Sequence, residues 1–303
     1  MSKYSKAKKW EKCPPKLSKI SVYQMGKVIG KGTYSKVCLA VHTVTQKKFA
    51  CKIISKKASA DDYYIQKFLP RELKIISRVQ HPNIVTFYNV INTPNNVYVL
   101  MDYCKHGDLL EFIRERGPFD ENKTRLLFGQ VAEAVHYLHC SNIAHRDIKC
   151  ENIFLVSSKR VKLGDFGFAR YCVDDGGDKV LSNTFCGSAA YAAPEVLRGE
   201  FYDPKKYDIW AMGCIVFVMI TASTPFDDSD VRKMVKDQMS RNLRNFEYFW
   251  EWCSVELKRL LFALLEPDKK ARINSFQVLN HPWLKSDTWG SRPLVSVSDS
   301  VLI

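Results

Sequence analysis

The nine residues that begin at His145 concentrate side chains able to do chemistry. Asp147 is a candidate base, Lys149 a candidate cation and Asn152 a candidate oxygen ligand for Mg²⁺. A second hard oxygen donor, Asp165, follows thirteen residues after Asn152. His145 itself is better explained as a packed, hydrogen-bonded core histidine than as a participant in the reaction. The run therefore predicts a base, a cation and a metal ligand within a short stretch of chain.

Upstream, a glycine-rich turn at Gly30 and Gly32 separates two strand-like runs. Because glycine has no Cβ, its backbone amides can approach a phosphate closely. A dinucleotide-binding loop would lead into a helix, whereas a strand-like run follows here, which argues against a dinucleotide-binding domain. A turn that covers phosphates and a plain hairpin turn remain the alternatives for these residues.

Lys52 lies in an apolar, strand-like run from Phe49 to Ile54. A lysine on a buried strand is costly unless its charge is paired. The alternative is a lysine on an edge strand, whose ammonium group reaches solvent.

These residues are positioned by elements that change character along the chain. Tyr23 to Ile54 and Thr86 to Tyr103 alternate in short apolar runs that predict five strands. Between them, residues 64–79 have helical spacing, with a bend or a start at Pro70. After Gly107 the periodicity is helical, in three main stretches. These stretches are residues 124–139, 210–220 and 255–265.

The length and composition are those of a globular protein with two packed lobes. The chain has 303 residues, of which 46% are hydrophobic and 26% charged. The formal charge is +14 and the pI about 9.2, which is compatible with nucleic acid, a membrane surface or an anionic substrate as partner. Much of the excess falls in the first twenty residues, best explained as a solvated basic arm. No RNA-binding signature or zinc-finger spacing accompanies the arm, so nucleic acid is disfavoured as a partner.

Cysteine usage and hydropathy indicate a reducing compartment. The ten cysteines are scattered, and no two are three residues apart. The N-terminus is polar and rich in lysine, unlike a secretory signal. The longest apolar run, residues 211–220, is too short to cross a bilayer. The sequence therefore predicts a cytoplasmic protein without a membrane span.

Taken together and in this order, the motifs resemble those of eukaryotic protein kinases. The motifs are the glycine-rich turn, Lys52, the run His145–Asn152, Asp165-Phe166-Gly167 and Ala193-Pro194-Glu195. Further stretches are similar to the testis-specific serine/threonine kinases, a branch near the calmodulin-dependent kinase group. These stretches are residues 68–72, 145–152 with Cys150, 165–169 and 184–195.

The resemblance implies an α+β, two-lobed protein kinase fold. The small lobe, residues 23–100, is a five-stranded antiparallel β lobe with one main helix. A hinge at residues 101–107 leads into a larger, mainly α-helical lobe at residues 108–284. A basic flexible arm, residues 1–22, precedes the domain, and a Ser-rich tail, residues 285–303, follows it.

The resemblance also implies ATP and Mg²⁺ as cofactors. Asp147, Lys149 and Lys52 are then catalytic, and Asn152 and Asp165 are the metal ligands. The nucleotide would contact Ile29, Gly30, Lys31, Gly32, Thr33, Tyr34, Ser35, Lys36, Val37, Ala50, Lys52, Glu72, Met101, Asp102, Cys104 and Asp108. Ser35 stands where related proteins usually carry a third glycine. Met101 would lie at the back of the pocket, and hinge backbone would meet adenine. Glu195 and Arg272 match a buried structural ion pair.

By the same resemblance Thr184 is a regulatory phosphosite, with Arg146 and Arg170 receiving its phosphate. The acidic segment from Val173 to Ser182 is predicted to be flexible without that phosphate. Glu151 and Ser188 would bind substrate, and Asp108 with Glu151 would receive arginines upstream of the phosphorylated residue. Asp108 has the alternative role of capping the following helix.

Lys149 and the overall match predict transfer of phosphate to Ser or Thr of protein substrates. An upstream activating kinase and chaperones are further expected partners, and sperm development, with a possible place in the flagellum, is the expected setting. Ala189 and Ala190 replace a Pro-Glu pair found in many relatives, which affects substrate docking but not the chemistry. The rival hypothesis is a pseudokinase scaffold, whose usual sign is loss of a lysine, base or metal ligand. Lys52, Glu72, Asp147, Asn152 and Asp165 are all present.

Overall fold

The computed structural model describes residues 20–32, 35–56, 68–244, 251 and 253–285. Most of the predicted basic arm, the Ser-rich tail after residue 285, and Thr33 and Tyr34 lie outside these residues. The part of the predicted helix before residue 68 also lies outside them.

The small lobe is one antiparallel sheet with a helix packed against it, as predicted. The strand order is β1-β2-β3-β5-β4. The bounds are β1 Tyr23–Lys31, β2 Ser35–His42, β3 Lys48–Ser55, α1 Leu69–Ile76, β4 Phe87–Asn92 and β5 Asn96–Asp102. Pro70 falls in the first turn of α1, where its missing N–H costs no helical hydrogen bond. Strand β5 ends at Asp102, so it extends two residues into the hinge predicted at residues 101–107.

Strand register decides which side chains face the large lobe. Val37 on β2 and Val99 on β5 lie opposite Lys52 on β3, and Ala50 lies opposite Met101. Since opposed residues share a face and the side-chain period is two, Lys52, Ala50 and Met101 all lie on the face toward the large lobe. Asp102, one residue further along, lies on the other face.

That other face carries a small core of its own. Its buried members include Tyr23, Phe49 and Leu100. The rings of Tyr23 and Tyr88 both meet Phe49 edge-on, with centroids 5.8 and 5.1 Å away. Each sheet face is therefore buried, which explains the near-continuous apolar character of β3.

The large lobe is mainly helical, as predicted. Its helices are α2 Leu109–Arg116, α3 Glu121–Cys140, α4 Pro194–Leu197, α5 Pro204–Thr221, α6 Val231–Ser240, α7 Val255–Leu264, α8 Ser275–Leu279 and α9 Pro282–Lys285. Short strand pairs support the loops between them: β6 Ile143–Ala144 with β9 Arg170–Tyr171, and β7 Ile153–Ser157 with β8 Arg160–Leu163. Aspartate or serine side chains cap α2, α3, α5, α6 and α7 at their N-termini.

Helix α5 forms the centre of the large lobe and is buried on all sides from Tyr207 to Ile220. Beside it Arg272 binds Glu195 in bidentate fashion, with N–O distances of 2.7 and 2.9 Å. Both side chains are fully buried, so each charge depends on the other, and the structure agrees with the predicted structural pair. None of the helices in the described part of the chain combines the length and apolar character that a bilayer crossing requires. The cysteines in the same part form no disulfide.

The segment before β4 belongs to the small lobe by sequence but packs on the large lobe. Ile84 forms a parallel bridge with Leu163 at the end of β8. Val85 donates to the Leu163 carbonyl at 2.9 Å, and Leu163 donates back to the Asn83 carbonyl at 2.8 Å. The Asn83 side chain also binds Gln130 of α3 at 3.0 Å. This segment is therefore a fixed point between the lobes.

Candidate active site

Lys52 connects the two lobes. Its Nζ donates to Glu72 Oε1 on α1 at 2.8 Å and to Asp165 Oδ1 in the large lobe at 3.0 Å. Strand β3 lies between β2 and β5, so the alternative of an edge-strand lysine in solvent is wrong. Two carboxylates stabilise the buried ammonium group. Without them, burial of this charge would be costly.

Asp165 is held in an uncommon backbone conformation with its side chain partly open to solvent. Its φ is 54°, in the left-handed region that non-glycine residues seldom adopt. The side chain remains 46% exposed although Lys52 contacts it. Lys52, aided by a hydrogen bond from the Gly167 amide, outweighs burial and lowers the pKa of Asp165. The carboxylate is therefore ionised at neutral pH and accessible to a cation.

The loop after β6 places the candidate base next to its partners. Asn152 Nδ2 donates to both Oδ2 and the backbone carbonyl of Asp147, each at 2.8 Å. Lys149 Nζ lies 3.0 Å from the same Asp147 Oδ2. The Asn152 carbonyl in turn accepts from the Gly164 amide at 2.9 Å, immediately before Asp165. The predicted base, cation and two metal ligands are thus brought together.

One residue that fixes this loop was not identified from the sequence. Asp208 in α5 accepts the His145 amide at 2.8 Å and the Arg146 amide at 2.7 Å. Its Oδ2 also accepts from His139 Nε2 at 2.9 Å. Arg146 has a left-handed φ of 64°, so the buried carboxylate holds a strained turn. The signal was present: Asp208 is an acidic residue that directly precedes the apolar run of α5, residues 209–220.

His145 packs beneath the site. Its ring is fully buried, 4.9 Å from the ring of Phe166, and its Nε2 donates to the Gly164 carbonyl at 2.9 Å. Phe166 also meets Phe87 of β4, with centroids 5.9 Å apart. The structure agrees with the interpretation of His145 and Phe166 as packing residues.

Gly187 brings the segment before α4 against the candidate base. Its φ is 87°, and a Cβ at this position would lie 3.0 Å from Asp147 Oδ1 and 3.1 Å from Tyr207 Oη. Ser188 follows directly and begins the short turn Ala189–Tyr191. The candidate substrate residue Ser188 therefore directly follows the glycine that faces the base, and Gly187 was not identified from the sequence.

The two predicted phosphate-receiving arginines lie close enough to interact electrostatically, and Thr184 is exposed. Arg170 on β9 pairs with Ala144, two residues before Arg146. Burial, and secondarily the charge of Arg146, lowers the pKa of Arg170. Arg146 already donates to the Ser182 hydroxyl at 3.1 Å and to the Phe168 carbonyl at 2.8 Å. Two like charges in a partly buried site would be stabilised by an added anion.

The acidic segment before Thr184 differs from expectation. The sequence predicts a flexible stretch, but the structure shows a closed hairpin. Asp174 Oδ1 accepts the amides of Gly176 and Asp178 at 3.0 and 2.9 Å. An aspartate that bonds backbone amides within its own turn stabilises that turn locally. Lys179 adds an ion pair with Asp203 at 2.7 Å, which ties the segment to the residue before α5.

Most of the residues expected around a nucleotide that the structure describes lie on the sheet of the small lobe. Strands β1 and β2 form the antiparallel hairpin around the glycine-rich turn, where Gly32 donates to the Ser35 carbonyl at 2.8 Å. Ala50 and Met101 are opposed on the cleft-facing side of the sheet. The Asp102 side chain is turned away from the cleft and binds Thr86, Tyr88 and Lys162 instead.

The two acidic residues expected to bind a substrate arginine have different environments. Asp108 Oδ1 accepts the Glu111 amide at 2.9 Å, which supports its role as the cap of α2. Glu151 lies in the short turn Cys150–Asn152, and its Oε2 is buried without a hydrogen-bond partner among the described residues. An unsatisfied carboxylate oxygen favours a cationic partner, so Glu151 is the better-supported member of the pair.

The chain is similar to a large set of known proteins. Residues 23–284 match the family described as protein kinase domain. Testis-specific serine/threonine-protein kinase 1 of Mus musculus is 42% identical over 270 residues, which cover 88% of this chain and 73% of that relative. Testis-specific serine/threonine-protein kinase 3 of Mus musculus is 44% identical over 265 residues, covering 87% and 96%. Testis-specific serine/threonine-protein kinase 4 of Homo sapiens is 34% identical, covering 86% and 82%.

We predict that Gly187→Ala lowers kcat at least ~10-fold, because the new Cβ must displace the Asp147 carboxylate. Gly199→Ala is the matched control, since Gly199 also has a positive φ, 70°, but open space around it. The control carries similar backbone strain and should keep its turnover within about 2-fold. Steady-state phosphoryl transfer by purified variants measures both, and equal losses would contradict the role of the contact.

Proposed function

This chain belongs to the family of protein kinase domains and is a serine/threonine-protein kinase, and from that premise we propose that it transfers the γ-phosphate of ATP to Ser or Thr of protein substrates, with Mg²⁺ as the metal. The observation that carries the proposal is the contact of one lysine, Lys52, with carboxylates of both lobes. This contact places a cation and an ionised Asp165 at the same point of the opening between the lobes.

The donor set fits Mg²⁺. Asp165 offers a partly exposed, ionised carboxylate. Asn152 uses its Nδ2 on Asp147, which leaves its amide oxygen as the group available to a metal. Hard oxygen donors of this kind are what Mg²⁺ prefers, together with substrate phosphates. When bound, the ion would neutralise charge on the phosphates. Lys52 would bind phosphate oxygens, and Glu72 keeps Lys52 in position.

Asp147 is proposed to orient the substrate hydroxyl and accept its proton. Asn152 and Lys149 fix its carboxylate from two directions. Lys149 would lie beside the transferred phosphate. Because phosphoryl transfer depends mainly on positioning and electrostatic stabilisation, fixed donors around Asp147 support the assignment.

A pseudokinase scaffold is the second candidate, and no specific observation favours it. Lys52 has both its carboxylate partners, and Asp147 has its Asn152 and Lys149 contacts. A scaffold would not need this set of contacts, so the enzyme is the better-supported function.

The relatives named testis-specific support a setting in male germ cells. We place the protein in sperm development, in the cytoplasm or the flagellum, with an upstream kinase and chaperones as further partners. The support is the similarity to those relatives over most of the chain.

We predict that Asp165→Asn lowers kcat at least ~10²-fold, because the charge that holds the metal on the phosphates is lost. The matched control is Asp228→Asn, the same change at an exposed position of the large lobe. Turnover is measured at saturating Mg-ATP on a peptide substrate. Near-normal turnover of Asp165→Asn would contradict the proposed chemistry.

The Thr184 phosphate is proposed to bind Arg146 and Arg170 and to raise activity. The hairpin is already ordered, so the phosphate is not needed to form it. Its proposed effect is to move Arg146 from the Ser182 hydroxyl onto a stronger, charged acceptor.

Thr184→Ala is therefore expected to lose activity at least ~10-fold relative to the Thr184-phosphorylated protein, from the absent charge-assisted bonds. Asn183→Ala, at the adjacent exposed residue, is the control. Phosphate occupancy is measured by mass spectrometry beside each rate. Full activity of Thr184→Ala would show that the arginines need no phosphate.

Substrates are proposed to carry arginine two or three residues before the phosphorylated Ser or Thr. The support is the Glu151 carboxylate, whose buried Oε2 accepts no hydrogen bond from the described residues. A guanidinium group can bind such a carboxylate in bidentate fashion. The formal charge of +14 does not attract basic peptides over long range, so local contacts must select them.

On a positional peptide library the wild type should prefer upstream arginine, and Glu151→Gln should reduce that preference at least ~5-fold, the cost of a lost charge-assisted pair. Glu115→Gln, an exposed change on α2, is the control and should keep the preference. If wild type is indifferent to arginine, or Glu151→Gln retains the full preference, Glu151 does not select substrates.

A further inference from the structure

The Asp102 carboxylate collects donors from three parts of the molecule. Lys162 Nζ lies 2.6 Å from its Oδ2, Thr86 donates its amide to Oδ2 at 2.9 Å, and Tyr88 donates its hydroxyl to Oδ1 at 2.7 Å. Lys162 also donates to Thr86 Oγ1 at 3.1 Å. The Asp102 amide donates to the Thr86 carbonyl at 3.0 Å. The end of β5 is therefore fixed by both its backbone and its side chain.

This network crosses from one lobe to the other. Asp102 ends β5 and is followed by the hinge, whereas Lys162 lies on β8 of the large lobe. Lys162 is three residues before Asp165, the proposed metal ligand. The neighbouring Leu163 pairs with the segment at Ile84 and Val85, so β8 is already held against the small lobe. The ion pair adds a tether between this fixed point and the hinge.

The pair is shielded enough to matter energetically. The side chains of Asp102 and Lys162 are only 21% and 14% exposed. Burial by itself would raise the pKa of Asp102, but the bonds from Lys162, Thr86 and Tyr88 outweigh it, and the net pKa is lowered. An exposed ion pair contributes little to stability, whereas a multiply bonded, partly buried carboxylate resists separation from its cation more strongly.

We propose that Asp102 and Lys162 are positioning residues that hold the hinge at a fixed distance from Asp165. The inference rests on the proposed function, because its consequence is for nucleotide binding. Adenine would meet the backbone after β5, and the phosphates would meet Lys52 and Asp165. A nucleotide can satisfy both ends at once only when the hinge and β8 keep their relative positions. The Asp102–Lys162 pair connects those two elements directly, through an Asp102 side chain that is turned away from the cleft.

The test compares Lys162→Met with wild type in ATP binding and in turnover. Lys162→Met should raise the dissociation constant and the KM of ATP at least ~5-fold, the lower end of typical coupling between sites. The KM of the peptide substrate should stay within about 2-fold of wild type, because Glu151 and Ser188 both belong to the large lobe, whereas the change weakens the connection between the lobes. Lys162→Arg keeps the charge and should restore much of the ATP affinity. Arg198→Met, which breaks an exposed ion pair with Glu200 inside the large lobe, is the control and should change neither KM.

A double-mutant cycle with Asp102→Asn distinguishes a positioning role of the Asp102–Lys162 pair from a general structural role. If the two residues act through each other, Asp102→Asn/Lys162→Met should weaken ATP binding no more than the worse single variant. Lys162→Gln, which removes only the charge and keeps a donor, provides the same readout if Lys162→Met does not fold. Unchanged ATP affinity in an active Lys162 variant would overturn the proposed positioning role of the Asp102–Lys162 pair. Equal increases in both KM values would also overturn it, since they indicate a loss of structure and not of positioning. A wild type that neither binds ATP nor transfers phosphate would instead overturn the proposed function.

Discussion

The arrangement of the site depends on one buried carboxylate. The Asp208 carboxylate accepts hydrogen bonds from the backbone amides of His145 and Arg146 and from the ring of His139. Helix α5 therefore holds the loop that carries Asp147. A buried carboxylate is costly unless several donors satisfy it, and here two of the donors are amides of the loop itself, while His139 of α3 supplies the third. The left-handed conformation of Arg146 is tolerated because these bonds offset its strain. The central helix and the catalytic loop therefore stabilise each other.

Order in the loop extends from this anchor to the metal ligands. Asn152 and Lys149 bind the Asp147 side chain, and the Asn152 carbonyl receives the amide of Gly164. The Gly164 carbonyl also accepts a hydrogen bond from the ring of His145. The two segments that carry the oxygen donors are thus joined by backbone bonds. Asp165 can remain partly exposed because its position is set by its neighbours and not by burial of its own side chain.

Local signals in the sequence predicted the helices, the strands and the linear motifs, but they did not predict the long-range contacts. Strand alternation and the position of Pro70 gave the small lobe and the start of α1, because those patterns depend on neighbours in the chain. The pairing of Lys52 with Glu72 was expected only from the family resemblance, and the contact of Lys52 with Asp165 was not predicted. Asp208, Gly187 and Lys162 were missed since each acts on a residue far away in sequence. Asp102 was grouped with the nucleotide contacts, but strand parity turns its side chain to the opposite face of the sheet.

Tethers at the two ends of the opening between the lobes differ in kind. At the end proposed to bind phosphates, Lys52 contacts a half-exposed Asp165, which is also the proposed metal ligand. At the hinge end, the Asp102–Lys162 pair is shielded and Thr86 and Tyr88 bind the same carboxylate. The stiffer tether therefore lies at the hinge. Strand β1 is three strands from β5, or ~14 Å at the usual spacing, so a small rotation about the hinge moves the glycine-rich turn furthest. In the proposed ATP site, a rotation about the hinge would therefore displace the end that binds phosphates more than the end that binds adenine.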